Sequence, residues 1–119
     1  MEDVSETRTV ARKTDRKRAT VVAAKDTGTN VVASFDLAGC KWTVLSVAHM
    51  TEMGLCDPET HTIKIRAALP EQAQEATFYH ELVHAIMFTM GKTNHDEEFV
   101  DTFGGLLHQY SRTMSETGK

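Results

Sequence analysis

The sequence predicts an α+β fold in which a small antiparallel or mixed sheet comes first and two helices come last. Two observations predict it: residues 20–66 hold several short β-branched or aromatic runs separated by turn residues, and residues 70–110 hold longer runs with helical spacing. A chain of 119 residues suffices for one domain. We expect residues 1–19, which are polar and lack a period, to form a flexible N-terminal extension, and residues 20–119 to form the domain.

The strands are predicted from residue type and turn punctuation. Residues 20–24, 31–35 and 42–47 are rich in residues that favour strands. The turn Asp57-Pro58-Glu59-Thr60 joins residues 54–56 to residues 61–66 and predicts a hairpin.

The helices are predicted from their end signals. Pro70 and Glu71 suit a first helical turn, and the apolar run continues to about Met90 before Gly91 ends it. A second helix is expected to begin near Asn94 as its cap, with acidic residues in its first turn, and to continue to about residue 110.

The first of these helices carries the motif His80-Glu81-Leu82-Val83-His84, which has the HExxH pattern of zinc proteases. Residues four apart share a helix face, so both imidazoles can reach one metal ion while Glu81 projects beside them. Apolar neighbours such as Phe78, Val83 and Ile86 predict that the histidines are largely buried. Buried polar groups need partners, and a shared Zn²⁺ ion is such a partner.

The chemistry of a catalytic zinc site accounts for these residue types. Such a site has three protein ligands and one water, whose pKa falls from about 15.7 to about 7 when zinc binds it. Glu81 is then expected to act as general base toward that water and to return the proton to a leaving amine. The motif therefore predicts a zinc-dependent metallopeptidase that hydrolyses a peptide bond in a protein or peptide substrate.

The segment after the motif resembles two protease families. Residues 79–85, followed by Glu97, Val100, Phe103 and the pair Leu106-Leu107, resemble the ImmA/IrrE-like zinc peptidases and small phage-encoded zinc peptidases. In that pattern Val100 replaces an alanine and the leucines come one place early, and the resemblance implies Glu97 as third zinc ligand. The run from His95 to Phe99 is similar to the HxxxF setting of SprT-like, DNA-associated proteases, which implies His95 instead. Both resemblances cover about residues 54–110.

The third ligand stays open between these two residues. A helical wheel with an apolar core face places His95 nearer that face than Glu97, whereas the longer downstream pattern favours Glu97. We prefer Glu97, with His95 as the alternative and Glu98 or Asp101 as further candidates. The wheel takes as core face Phe99, Val100, Phe103, Leu107 and Tyr110.

Two other functions are consistent with the sequence. The metal could be a structural zinc ion in a non-catalytic binding module. The protein could also associate with nucleic acid through a basic stretch between Arg8 and Lys25, although the formal net charge of the chain is −4. That partner is not favoured, because no aromatic residue for base stacking is interleaved among Arg8, Arg12, Lys13, Arg16, Lys17, Arg18 and Lys25.

The remaining expectations concern location and the surroundings of the site. No apolar run approaches the ~18 residues of a membrane span and the charged start is no signal peptide, so no membrane contact and a cytoplasmic location are expected. Cys40 and Cys56 are expected to be reduced thiols. Residues 61–66 are either an edge strand to which a peptide could add or a plain core strand. An additional proton donor or oxyanion-stabilising group could come from His49, His61, His108 or Tyr110.

Overall fold

The structure is a computed structural model that describes residues 28–115. A four-stranded mixed sheet is followed by two helices, which confirms the predicted α+β arrangement. The predicted strand at residues 20–24, the predicted extension at residues 1–19 and the basic stretch lie outside the described residues. The elements are β1 Thr29–Leu37, β2 Cys40–Val47, β3 Gly54–Asp57, β4 Thr62–Arg66, α1 Glu71–Thr89 and α2 Glu97–Thr113.

The sheet has the order β1-β2-β4-β3. β1 and β2 form an antiparallel hairpin whose two turn residues, Ala38 and Gly39, have positive φ angles of 51° and 80°. Two successive positive φ angles are typical of a type I′ turn, whose twist matches that of the flanking strands. β4 pairs parallel with β2 and antiparallel with β3, so the predicted hairpin of β3 and β4 is confirmed.

The strand at residues 61–66 is a core strand and not an edge strand, which corrects one of the two alternatives. β4 lies between β2 and β3, and its Ile63 and Ile65 are 0% and 5% exposed. A central position buries both isoleucines, whereas β3 has four residues and a glycine and suits an edge. The edge strand beside α1 is therefore β3.

The hydrophobic core lies between one sheet face and α1. Alternate residues of β2 and β4 point to this face because side chains of a strand alternate in direction. They pack with Ala85 of α1, and Phe35, Leu37, Cys56 and Phe78 surround them. The buried sheet residues of this cluster are Trp42, Val44, Ile63 and Ile65.

Helix α1 has the ends that the sequence predicts. It follows Pro70 and is closed by Gly91, whose φ angle is 86° and whose N–H donates to the Phe88 carbonyl. Glycine adopts this left-handed conformation without a Cβ penalty, which is why it ends the helix. Neither helix of residues 28–115 combines the length and the apolarity that crossing a bilayer requires.

Helix α2 packs on α1. Its cap is Asp96, which accepts a hydrogen bond from the Glu98 N–H at 3.0 Å, so the expectation of an Asn94 cap is wrong by two residues. Asn94 and Asp96 both have a short side chain that can accept the capping hydrogen bond. The sequence therefore allows either residue as the cap, and the packing of the helix selects Asp96.

The core face predicted for α2 is also partly wrong. Val100 and Gly104 are the buried residues of this helix, whereas Phe99, Phe103 and Tyr110 are 50%, 43% and 61% exposed. The glycine allows close approach, because a Cβ at Gly104 would lie 3.0 Å from the His80 Cα and 3.2 Å from the Tyr79 carbonyl oxygen. The backbones of α1 and α2 therefore approach each other closely at Gly104, and the large aromatic residues of α2 remain half-exposed.

We expect the free energy of unfolding of the Gly104→Ala variant to be lower than that of the Gly105→Ala variant by at least about 1 kcal/mol. Both changes gain the same helix propensity, about 0.5–1 kcal/mol, but a Cβ at Gly105 has no atom within 4 Å. A Cβ at Gly104 meets helix backbone, which cannot rotate away, so the two helices must separate. Urea unfolding followed by circular dichroism measures both variants, and equal stability would show that this contact is not tight.

Candidate metal centre

Helix α1 brings His80 and His84 together on the face that α2 covers. The ring centroids lie 5.1 Å apart, and their side chains are 26% and 12% exposed. The burial predicted for the two histidines is thus partial, and greater for His84. Their separation by one helical turn is what the HExxH spacing requires.

The third donor comes from the first turn of α2. Glu97 Oε1 lies 3.4 Å from His80 Nε2, and Glu97 Oε2 lies 3.2 Å from His84 Nε2. One donor atom of each residue falls in a group within 4.8 Å. Two ligands bound at about 2.0–2.2 Å in tetrahedral geometry lie roughly 3.4 Å apart, so these separations suit a Zn²⁺ ion.

His95 contacts the opposite nitrogen of His84. Its Nδ1 lies 2.6 Å from His84 Nδ1, and its Nε2 lies 2.6 Å from the Lys92 carbonyl oxygen. The two rings stack at 4.9 Å with an interplanar angle of 19°. His95 therefore lies next to the three-donor group without joining it.

The hydrogen-bond partners imply a tautomer for each neutral ring. A carbonyl can only accept, so His95 Nε2 donates to Lys92, and His95 Nδ1 is then the acceptor. His84 Nδ1 must donate to it, which leaves a lone pair on His84 Nε2. This lone pair faces the Glu97 carboxylate.

Asp101 contacts Nδ1 of His80, as His95 contacts Nδ1 of His84. Its Oδ1 lies 3.5 Å from His80 Nδ1 on the side away from the Glu97 contact. A carboxylate there favours a proton on Nδ1 and leaves the His80 Nε2 lone pair toward Glu97. Of the two further ligand candidates, Asp101 is thus a partner of a histidine, and the Glu98 backbone N–H contacts the Asp96 cap.

The resulting electrostatics favour a cation. Burial lowers the pKa of His84; the Glu97 carboxylate opposes this shift, and His80 and His95 add to it. Neutral imidazole is the form that binds a metal. Two imidazole lone pairs and a carboxylate directed at one point repel each other, and a shared cation converts that repulsion into three attractive contacts.

Glu81 lies beside this group without belonging to it. It is 8% exposed, and burial raises the pKa of its carboxyl group; His80 opposes this rise and Glu97 adds to it. A Cβ at Gly54 would lie 3.1 Å from Glu81 Oε2 and would contact the Thr77 side chain. The edge strand β3 can approach Glu81 this closely because residue 54 is glycine.

The site opens into a cleft of about 440 Å³ between β3 and the loop that leads to α2. Burial raises the pKa of the Cys56 thiol to about 12, with further contributions from Glu81 and Asp57. Both Cys56 and Cys40 are free, as the sequence predicts. The lining residues are Gly54, Leu55, Cys56, His80, Glu81, His84, Phe88, Thr93, His95 and Glu97.

The other polar residues considered from the sequence are not among those lining the cleft. His108 lies 3.2 Å from Glu75 and stacks on Tyr79, and His61 packs on Trp42. Tyr110 is on the exposed side of α2. Sequence reasoning missed Gly54 and Phe88, although a glycine at the start of a short strand is a signal for close backbone approach.

Comparisons of the chain with models of protein families, with curated proteins and with solved structures gave no match. The chemical interpretation of the site therefore rests on its residues and their geometry. The resemblance to two peptidase families stays a prediction.

Glu97→Ala should lower zinc affinity by more than about 100-fold, as should alanine at His80 or His84. His95→Ala should lower it by about 10- to 100-fold, because His95 lies outside the three-donor group and contacts His84, whose ring it would orient. Glu98→Ala is the matched control, since loss of a helix-dipole contact is worth about 0.5 kcal/mol or about twofold. Competition against a chromophoric chelator measures these affinities.

Which of the two variants, Glu97→Ala or His95→Ala, loses more zinc affinity distinguishes the two candidate third ligands. A His95→Ala protein that loses zinc while Glu97→Ala retains it would make His95 the ligand. Unchanged affinity in His80→Ala would mean that zinc, if bound at all, binds elsewhere.

Proposed function

We propose that the protein is a zinc-dependent metallopeptidase with His80, His84 and Glu97 as zinc ligands and Glu81 as general acid/base. The observation that carries the proposal is the arrangement of the two histidines. Their Nδ1 atoms have partners in Asp101 and His95, while their Nε2 atoms converge with Glu97 beside a buried glutamate. This is the set of residues that HExxH hydrolysis requires.

The donor count favours a catalytic site over a structural one. A structural zinc site is closed by four protein ligands, and a catalytic site keeps one position for solvent. Residues 28–115 offer a group of three donors, and this group lies in the wall of the cleft. Cys56, which also lines the cleft, lies outside that group.

When bound, Zn²⁺ supplies a Lewis acid that polarises a carbonyl and makes water a good nucleophile near neutral pH. Glu81 accepts the proton of the attacking water on its carboxylate. Because burial raises the pKa of this group, Glu81 binds the proton more firmly and can deliver it to the nitrogen of the leaving amine. His95 and Asp101 orient the histidines and keep protons off the nitrogens that face the site.

The edge strand β3 is the proposed binding place for an extended peptide. It borders the cleft and pairs with β4 along one side. Within residues 28–115 no strand pairs with its other side, which suits the addition of a peptide strand. The proposed substrate class is therefore a protein or peptide in extended conformation. The sequence left open whether residues 61–66 have this role or form a core strand, and β4 has the central position.

The alternatives have less support from the described residues. The SprT-like interpretation requires His95 as a ligand, but His95 contacts Nδ1 of His84, on the other side of the ring from Glu97. The basic stretch that could contact nucleic acid lies outside the described residues. The cytoplasmic location and the likeness to ImmA/IrrE-like and phage-encoded peptidases stay predictions.

Glu81→Gln should keep zinc and the fold but lower peptidase activity by about 100- to 10,000-fold, because an amide cannot accept the proton. Activity is measured by mass spectrometry of an unstructured peptide library, and zinc content by elemental analysis. Glu98→Gln, an equivalent change on an exposed glutamate of α2, is the control and should keep both.

Two results would contradict the mechanism. Loss of zinc in Glu81→Gln would make Glu81 a ligand. Equal cleavage by Glu81→Gln and the unchanged protein would remove Glu81 from the proton transfer.

A further inference from the structure

Helix α2 carries an exposed apolar row in addition to its buried residues Val100 and Gly104. We name Phe99, Phe103, Leu106 and Tyr110 the α2 stripe; these residues are 50%, 43%, 58% and 61% exposed. Residues three and four apart lie on one side of a helix, so the four side chains form a continuous row. Phe99 and Phe103 stack with ring centroids 5.6 Å apart, so part of the row is already ordered.

The position of α2 leaves this row open to a partner. Among the described elements, α2 makes its main packing contacts with α1, through Val100 and Gly104. Thr102 and Gln109, which are exposed on the same helix outside the stripe, are uncharged. Large apolar side chains in one exposed row are typical of a surface that binds another protein.

The spacing of the stripe identifies the partner that fits. The steps between its members are four, three and four residues, so the pattern is the same in both chain directions. A two-fold axis at the middle of the row places Phe99 against Tyr110 of a second copy and Phe103 against Leu106. Alternating steps of three and four residues are also the spacing of the apolar positions in a coiled coil.

Charge favours the antiparallel direction. The first turn of α2 is acidic, with Asp96 as cap followed by Glu97 and Glu98, and the last turn contains Arg112. Parallel pairing would bring the exposed acidic ends with Asp96 and Glu98 together, whereas antiparallel pairing separates these ends and opposes the helix dipoles.

We propose that the α2 stripe is the interface of an antiparallel homodimer with two-fold symmetry. Aromatic side chains bury about 150–250 Å² each, so four half-exposed residues and the neighbouring Met114 contribute on the order of 500 Å² per protomer. A total near 1,000 Å² is about the lower limit for a specific interface and corresponds to a reversible dimer. Glu97 faces the histidines of α1, so pairing leaves the metal centre open.

Sedimentation equilibrium of the full chain, from low micromolar to several hundred micromolar, tests the dimer. We expect a reversible monomer–dimer equilibrium, and Phe103→Glu should raise its dissociation constant by at least about 100-fold, because each substitution is present twice. Gln109→Glu adds the same charge to the same helix outside the stripe and should change the constant by about twofold at most. A chain that stays monomeric over the whole range overturns the proposal, and so does equal weakening by both variants.

A charge pair tests the antiparallel geometry. Phe99→Glu and Tyr110→Lys should each weaken the dimer, and the double variant should bind better than either, because the two-fold axis brings opposite charges together at both ends. Both changes suit the helix dipole, and circular dichroism and zinc content check the fold of each variant. A double variant that is weaker than both single variants indicates parallel pairing and overturns the proposed geometry.

Discussion

The contact between α1 and α2 at Gly104 determines the geometry of the candidate site. His80, Glu81 and His84 lie on α1, and Glu97 and Asp101 lie on α2, so no three-donor group exists within either helix alone. The missing side chain at Gly104 lets α2 lie against the His80 backbone. Glu97, two turns earlier on the same helix, is thereby held within 3.4 Å of both imidazoles.

Residues outside the donor group determine which nitrogen of each histidine carries the proton. The Lys92 carbonyl directs the proton of His95, which in turn directs the proton of His84, so a backbone group three contacts away decides which nitrogen faces Glu97. Asp101 has the equivalent effect on His80. A helix with the same motif but without these partners would present mixed tautomers and would bind a metal less well.

The sheet determines the surroundings of Glu81. Because β4 takes the central place, β3 becomes the edge strand beside Glu81, and its Gly54 permits the contact that encloses this carboxylate. The same burial that completes the core therefore raises the pKa of Glu81. Fold stability and the proposed proton transfer thus share one contact between β3 and α1.

The sequence by itself determined the element types, the ends of α1 and the residues His80, Glu81 and His84, because these depend on local spacing and turn chemistry. The strand order, the Asp96 cap, the exposed face of Phe99 and Phe103 and the approach of Glu97 depended on tertiary packing. A helical wheel finds an apolar face but cannot tell whether it meets α1 or solvent. The grouping of Glu97, and not of His95, with His80 and His84 depended on the crossing of two helices at a glycine, which only the assembled structure contains.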